Sequence, residues 1–154
     1  RPTRITLQVA GAFARPAEES EFRRLASELP PNPDGSPIIS IKGFVDSAGR
    51  DRLMRECDLL LFPTFYEGEA MPGVILEAMA YGMDVVTTNW RGVNNLLPKE
   101  SARSIAPGDI QGLKEQVLFC MDRMPSDVNR RHFLENYSFD KFISQTMDAL
   151  LSVA

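Results

Sequence analysis

Two carboxylates, Glu69 and Glu77, stand on either side of a Pro-Gly step at Pro72 and Gly73, with seven residues between them. The step marks a helix start, because Val74, Ile75, Ala78 and Met79 then recur with helical spacing and form an apolar stripe suited to packing on a sheet. A helix start presents unpaired N–H groups, here of about Gly73, Val74 and Ile75, and is a natural anion site. Carboxylates beside an anion site suit a ligand that carries both hydroxyls and phosphates: the hydroxyls donate to the carboxylates while the phosphate takes the amides. A sugar nucleotide has this pattern. Gly73, Glu77 and Tyr81, spaced by four, share a second face, where the missing side chain of Gly73 leaves room for a ligand to approach. Each acid also has a plainer reading, with Glu77 as a solvated helix carboxylate, Glu69 as a partner of the helix dipole and Glu67 as surface charge.

The elements that must position these residues are legible as an alternation. Apolar or β-branched runs at residues 5–9, 38–41, 59–62, 84–88 and 103–106 are separated by helical patterns at 18–29, 49–57, 72–81 and 110–123. Strand and helix in turn predict an α/β fold, a Rossmann-like doubly wound parallel sheet. Two C-terminal helices follow at 126–135 and 139–151, the second opened by Ser138 as N-cap. The proline-rich stretch 29–37 is a surface loop. In open α/β sheets ligands bind beyond the carboxyl ends of the strands. Pro63 stops the strand at 59–62, so the loop 64–71 that bears Glu69 leaves such an end, Pro72 suits the first helical position and Gly82 ends the helix.

Composition narrows the class of function. The 154 residues are 44% hydrophobic, one domain's worth of globular chain. The net charge of −4 includes no block of like charge, and Arg23, Arg24, Arg50, Arg52 and Arg55 alternate with acids as on solvated helix faces, so no nucleic-acid partner is expected. Cys57 and Cys120 read as two reduced core thiols of a cytoplasmic protein. There is no apolar run near the roughly 20 residues that span a bilayer and no charged-then-apolar leader, which leaves peripheral association with the inner face of a membrane open. His132 is expected at the surface with no partner for a metal, and the methionines mostly as core filler. Trp90 and Arg91 follow a strand's carboxyl end, where they line a cleft or meet a further domain. The segment 9–14 lacks a complete Gly-x-Gly-x-x-Gly, which argues against a dinucleotide dehydrogenase.

The run LLLFPT at 59–64 followed by EAMPGVILEAMA at 69–80 resembles the E-x7-E region of the retaining glycosyltransferases of family 4, or group 1, which have the GT-B fold of two facing Rossmann-like domains. The continuation YGMDVVTTNWRG at 81–92 is similar to the next strand and glycine turn of that family, and KGFV at 42–45 with CDL at 57–59 is similar to its upstream steps. The resemblance implies that Glu77 holds the ribose hydroxyls and Glu69 lies near the transferred sugar as the catalytic carboxylate. It implies donor contacts from the backbone around Met71, Pro72, Gly73 and Val74, with Gly43, Phe44 and Val45 against the base. It also implies a nucleoside-diphosphate sugar as donor and no metal or other cofactor; the chain has no Asp-x-Asp pair. Residues 1–154 are then expected to be a C-terminal nucleotide-sugar-binding domain, with a preceding strand, a basic diphosphate clamp and the N-terminal domain for a glycan or lipid acceptor lying outside this sequence. Two departures stand out, Ala70 at a position usually small and flexible or glycine, and Asn94-Asn95 where Pro-Glu is common. The competing reading is a non-catalytic Rossmann-like regulatory module that holds a nucleotide or simple anion. Two nearby carboxylates disfavour a bare phosphate site, which gains from Lys, Arg, Ser or Thr instead.

Overall fold

A computed structural model describes residues 5–123 and 126–152. The chain is a mixed α/β structure that divides into two compact units, residues 1–53 and 54–154.

In the first unit, β1 (Leu7–Ala10) and β2 (Ile39–Gly43) pair in parallel, with Leu7 opposite Ile39 and Val9 opposite Ile41. Between them lies α1 (Pro16–Ser27), whose first helical position is a proline. Arg23 pairs with Glu19, and Arg24 with both Glu21 and Glu28, so these arginines occupy a solvated helix face as their alternation with acids predicts. The proline-rich loop before β2 is anchored by Asn32, which is buried. Its side chain accepts from the Ile5 amide at 3.1 Å and donates to the Ile5 carbonyl at 2.9 Å, mimicking a neighbouring strand. The next helix, α2 (Ser47–Glu56), begins two residues before the predicted start because the Asp46 carboxylate accepts from the Gly49 amide at 2.7 Å and caps it. Its end at Glu56 leaves Cys57 outside the helix that the sequence pattern assigned to it.

In the second unit, β3 (Leu59–Phe62), β4 (Asp84–Thr88) and β5 (Arg103–Ile105) form a parallel sheet in the order β3-β4-β5. Their positions match the predicted runs. The central strand is the most deeply buried, with Val85, Val86, Thr87 and Thr88 at 1% exposure or less. Helix α3 (Gly73–Tyr81) connects β3 to β4, and its Ile75, Ala78 and Met79 are fully buried in a core that includes Met54, Met83, Val85, Val93 and Leu97. Val74 is half-buried against the same core, completing the stripe read from the sequence. Gly82 adopts φ +79° and ends α3, its amide and that of Met83 returning to the carbonyls of Met79 and Ala78.

After β5 come α4 (Ile110–Met121), α5 (Val128–Asn136) and α6 (Phe139–Leu151). Helix α5 is held to the end of α3 by the buried Asn129, which donates to the Met83 carbonyl at 2.8 Å and accepts from the Ser101 hydroxyl. The hydroxyl of Ser138 caps α6 through the Lys141 amide, as predicted, and Phe139, Phe142, Met147, Leu150 and Leu151 leave an apolar stripe of that helix exposed. Both cysteines are free and half-buried, and burial with the nearby Asp84 carboxylate pushes the Cys120 thiol up. Two expectations change. Met54, Met79 and Met83 are core residues, but Met71, Met121 and Met147 are exposed, and Met124 lies outside the described residues. His132 is not a plain surface residue: it is half-buried, packs edge-on against Tyr137 at 5.6 Å, and its Nε2 atom is buried without a partner among the described residues.

Candidate functional site

The connection from β3 to α3 contains three of the predicted site residues, Glu69, Met71 and Pro72, and the start of α3 supplies three more, Gly73, Val74 and Glu77. It leaves the carboxyl end of a parallel strand, the end where α/β sheets bind ligands. Gly43, Phe44 and Val45 belong to the first unit and lie at the carboxyl end of β2, where Gly43 has φ +65° and Phe44 is 84% exposed.

Pro72 is the N-cap of α3 rather than its first residue, with extended backbone at φ −66° and ψ 113°. No side chain caps this helix, and the Ile75 amide is already taken by the Pro72 carbonyl at 3.1 Å. The anion site expected at Gly73, Val74 and Ile75 therefore contracts to the amides of Gly73 and Val74. Gly73 is exposed, and a Cβ placed on it meets nothing within 4 Å, so the space before the helix is open. Glu69 and Glu77 are both half-buried, Glu69 in the loop before this space and Glu77 one turn into α3. On the same face as Glu77, the Tyr81 ring lies under the Arg55 guanidinium at 5.3 Å. Glu67 is exposed, as its reading as surface charge implies.

The loop itself packs few of its side chains, with Phe65 and Tyr66 each 69% exposed and Met71 61% exposed. Its backbone is held instead by side chains from the carboxyl end of β4. The Thr87 hydroxyl donates to the Phe62 carbonyl at 2.8 Å, the Thr88 hydroxyl to the Thr64 carbonyl, and the Trp90 indole N–H to the Tyr66 carbonyl at 2.8 Å. The Tyr66 carbonyl also accepts from the Glu69 amide at 3.1 Å, closing a turn around Gly68, where a Cβ would meet the Tyr66 ring at 2.7 Å. These three donors were missed by reasoning from the sequence. The one available signal was a Thr-Thr pair closing an otherwise apolar buried strand. Beyond Trp90, Arg91 (φ +46°) and Gly92 (φ +80°) are consecutive left-handed residues that turn the chain into a short 3-10 segment, Val93–Leu96. Among the described residues, no group of three or more His, Cys, Asp or Glu side chains is placed to hold a metal ion.

Comparisons with known proteins bear on the fold and the family. Three solved structures share the fold. The Anabaena protein HepE, in complex with UDP-glucose, superimposes with a TM-score of 0.77 at 20% identity, over 98% of this chain and 42% of its own. The sucrose-phosphate synthase of Thermosynechococcus elongatus gives a TM-score of 0.70 at 19% identity, over 97% of this chain and 39% of its own. AviGT4, a glycosyltransferase involved in Avilamycin A biosynthesis, gives 0.67 at 18% identity, over 95% of this chain and 44% of its own. The chain thus spans less than half the length of each of these three proteins. A search among curated proteins finds no match. Residues 1–123 match the family described as Glycosyl transferases group 1, and the chain belongs to that family.

Proposed function

We propose that this chain is the donor-binding part of a retaining glycosyltransferase, which takes a nucleoside-diphosphate sugar at the start of α3 and transfers the sugar to a glycan or lipid presented by a domain outside this sequence. One observation carries the reading: two half-buried carboxylates flank an uncapped helix start whose approach is open at Gly73. Family membership and the UDP-glucose bound to HepE support it. In this reading the diphosphate takes the amides of Gly73 and Val74, and Glu77 accepts hydrogen bonds from the ribose hydroxyls. Glu69 lies beside the transferred sugar. The α3 start, equivalent to about half a positive charge, stabilises the departing diphosphate.

Titration of the chain with UDP and GDP, followed by calorimetry and by amide shifts in NMR, tests the proposal. Binding is expected on the order of 10 µM to 1 mM, because contacts from any further domain are missing. Shifts should centre on residues 73–77, and Glu77→Gln should weaken binding by roughly 1–2 kcal/mol as a charged acceptor becomes a neutral one. If millimolar nucleotide leaves residues 73–77 unmoved, the donor reading fails.

A further inference from the structure

Loop 64–71 connects the sheet to the proposed donor site, yet Phe65, Tyr66 and Glu67 are exposed, so side-chain burial does little to fix it. What fixes the backbone next to Glu69 is one acceptor, the Tyr66 carbonyl, with two donors on it. One is the Glu69 amide at 3.1 Å, and the other is the Trp90 indole N–H at 2.8 Å, reaching across from the end of β4. Trp90 is half-buried, and the guanidinium of its neighbour Arg91 lies 5.8 Å above its ring. Arg91 itself has φ +46°, a conformation that non-glycine residues seldom adopt. We infer that Trp90 is a positioning residue for the donor sugar: its indole N–H locks the turn of residues 66–69 and so sets where the Glu69 carboxylate stands. The inference rests on the reading that Glu69 faces the transferred sugar. It predicts a split between ligands, because UDP lacks the sugar that Glu69 would touch, whereas UDP-glucose has it.

Trp90 is the only tryptophan of the chain, so its indole N–H gives a single resonance and can be altered without touching another site. Trp90→Phe keeps an aromatic ring under Arg91 and removes the donor. Replacement of tryptophan by 3-benzothienylalanine, with sulfur in place of the N–H, keeps the full bicyclic shape and serves as the second variant if phenylalanine packs poorly. Two readouts are compared with the unaltered chain: amide exchange at Glu69 with Val85 and Val86 as internal controls, and affinity for UDP and for UDP-glucose. The expected result is Glu69 exchange about two- to tenfold faster with the β4 amides unchanged, and UDP-glucose bound about two- to tenfold more weakly with UDP unaffected, the range of one net hydrogen bond. Unchanged Glu69 exchange overturns the inference. So does an equal loss for both ligands, or a general acceleration that includes Val85 and Val86, since either marks Trp90 as a purely structural residue. If the unaltered chain binds neither ligand, the donor reading fails separately, and the exchange result alone decides whether Trp90 locks the turn.

Discussion

Replacing Gly73 by alanine should separate stability from ligand binding in opposite directions. Gly73 is the first residue of α3 with no positive φ, and its Cβ direction is empty to 4 Å, so alanine fits without strain. Restricting the unfolded chain at such a site stabilises a protein by about 0.4–1 kcal/mol. Binding should suffer, because the methyl group fills the space through which a phosphate reaches the helix start. Only two amides are offered there, those of Gly73 and Val74, since the Ile75 amide is spent on the Pro72 carbonyl. Displacing the anion from one of the two removes a hydrogen bond to a charged group, about 1.5–3 kcal/mol, or roughly a 10- to 150-fold loss of UDP affinity. Urea unfolding measures the first effect and calorimetric titration with UDP the second. An alanine variant that binds UDP as well as the unaltered chain would show that no phosphate approaches over Gly73, and the helix start would lose its assigned role.

Two further outcomes follow from other parts of the molecule. Asn129→Ala should destabilise the second unit by about 2–4 kcal/mol, because the Met83 carbonyl and the Ser101 hydroxyl both lose a buried partner; this corresponds to a drop of roughly 10–30 °C in Tm by calorimetry. In a longer protein that joins this chain to an acceptor-binding domain, Glu69→Ala should lower kcat far more than it raises the UDP inhibition constant, since its contact belongs to the transition state, whereas equal changes in both would make Glu69 a ground-state binding residue.

Local chemistry made some of the fold legible and left the rest hidden. Strands β3 and β4 and helix α6 fall where the sequence places them, because each is an unbroken apolar or amphipathic run with a stop signal at one end: Pro63 after β3, Ser138 before α6. Boundaries slipped where a single side chain decides them. Asp46 draws the start of α2 back to Ser47, and the ψ of 113° at Pro72 puts that residue just outside α3 instead of at its first position. The short turn Val93–Leu96 has too few residues to show a period. The Asn129 bonds reach across 46 residues to Met83 and 28 to Ser101, and the indole of Trp90 across 24 to Tyr66, so no local pattern announces them. The acids and the Pro-Gly step were visible because they lie within one short stretch. What holds that stretch in place comes from the neighbouring strand and was not.

The three bonds from the end of β4 and from Trp90 just beyond it fall on the carbonyls of Phe62, Thr64 and Tyr66, every second residue, which is the spacing of a strand's pairing edge. Pro63 ends the regular ladder, and beyond it the hydroxyl and indole donors tether the next four residues with the offset between partners changed from 25 to 24. This has a consequence for how the segment tolerates change over evolutionary time. Side chains at 63 and 65 sit between the anchored carbonyls and are free to vary, but inserting or deleting one residue between 62 and 66 would move every later carbonyl off its donor and turn the chain over. Length should therefore be fixed through Tyr66, while additions fit better among residues 67–71, past the last of the three tethers.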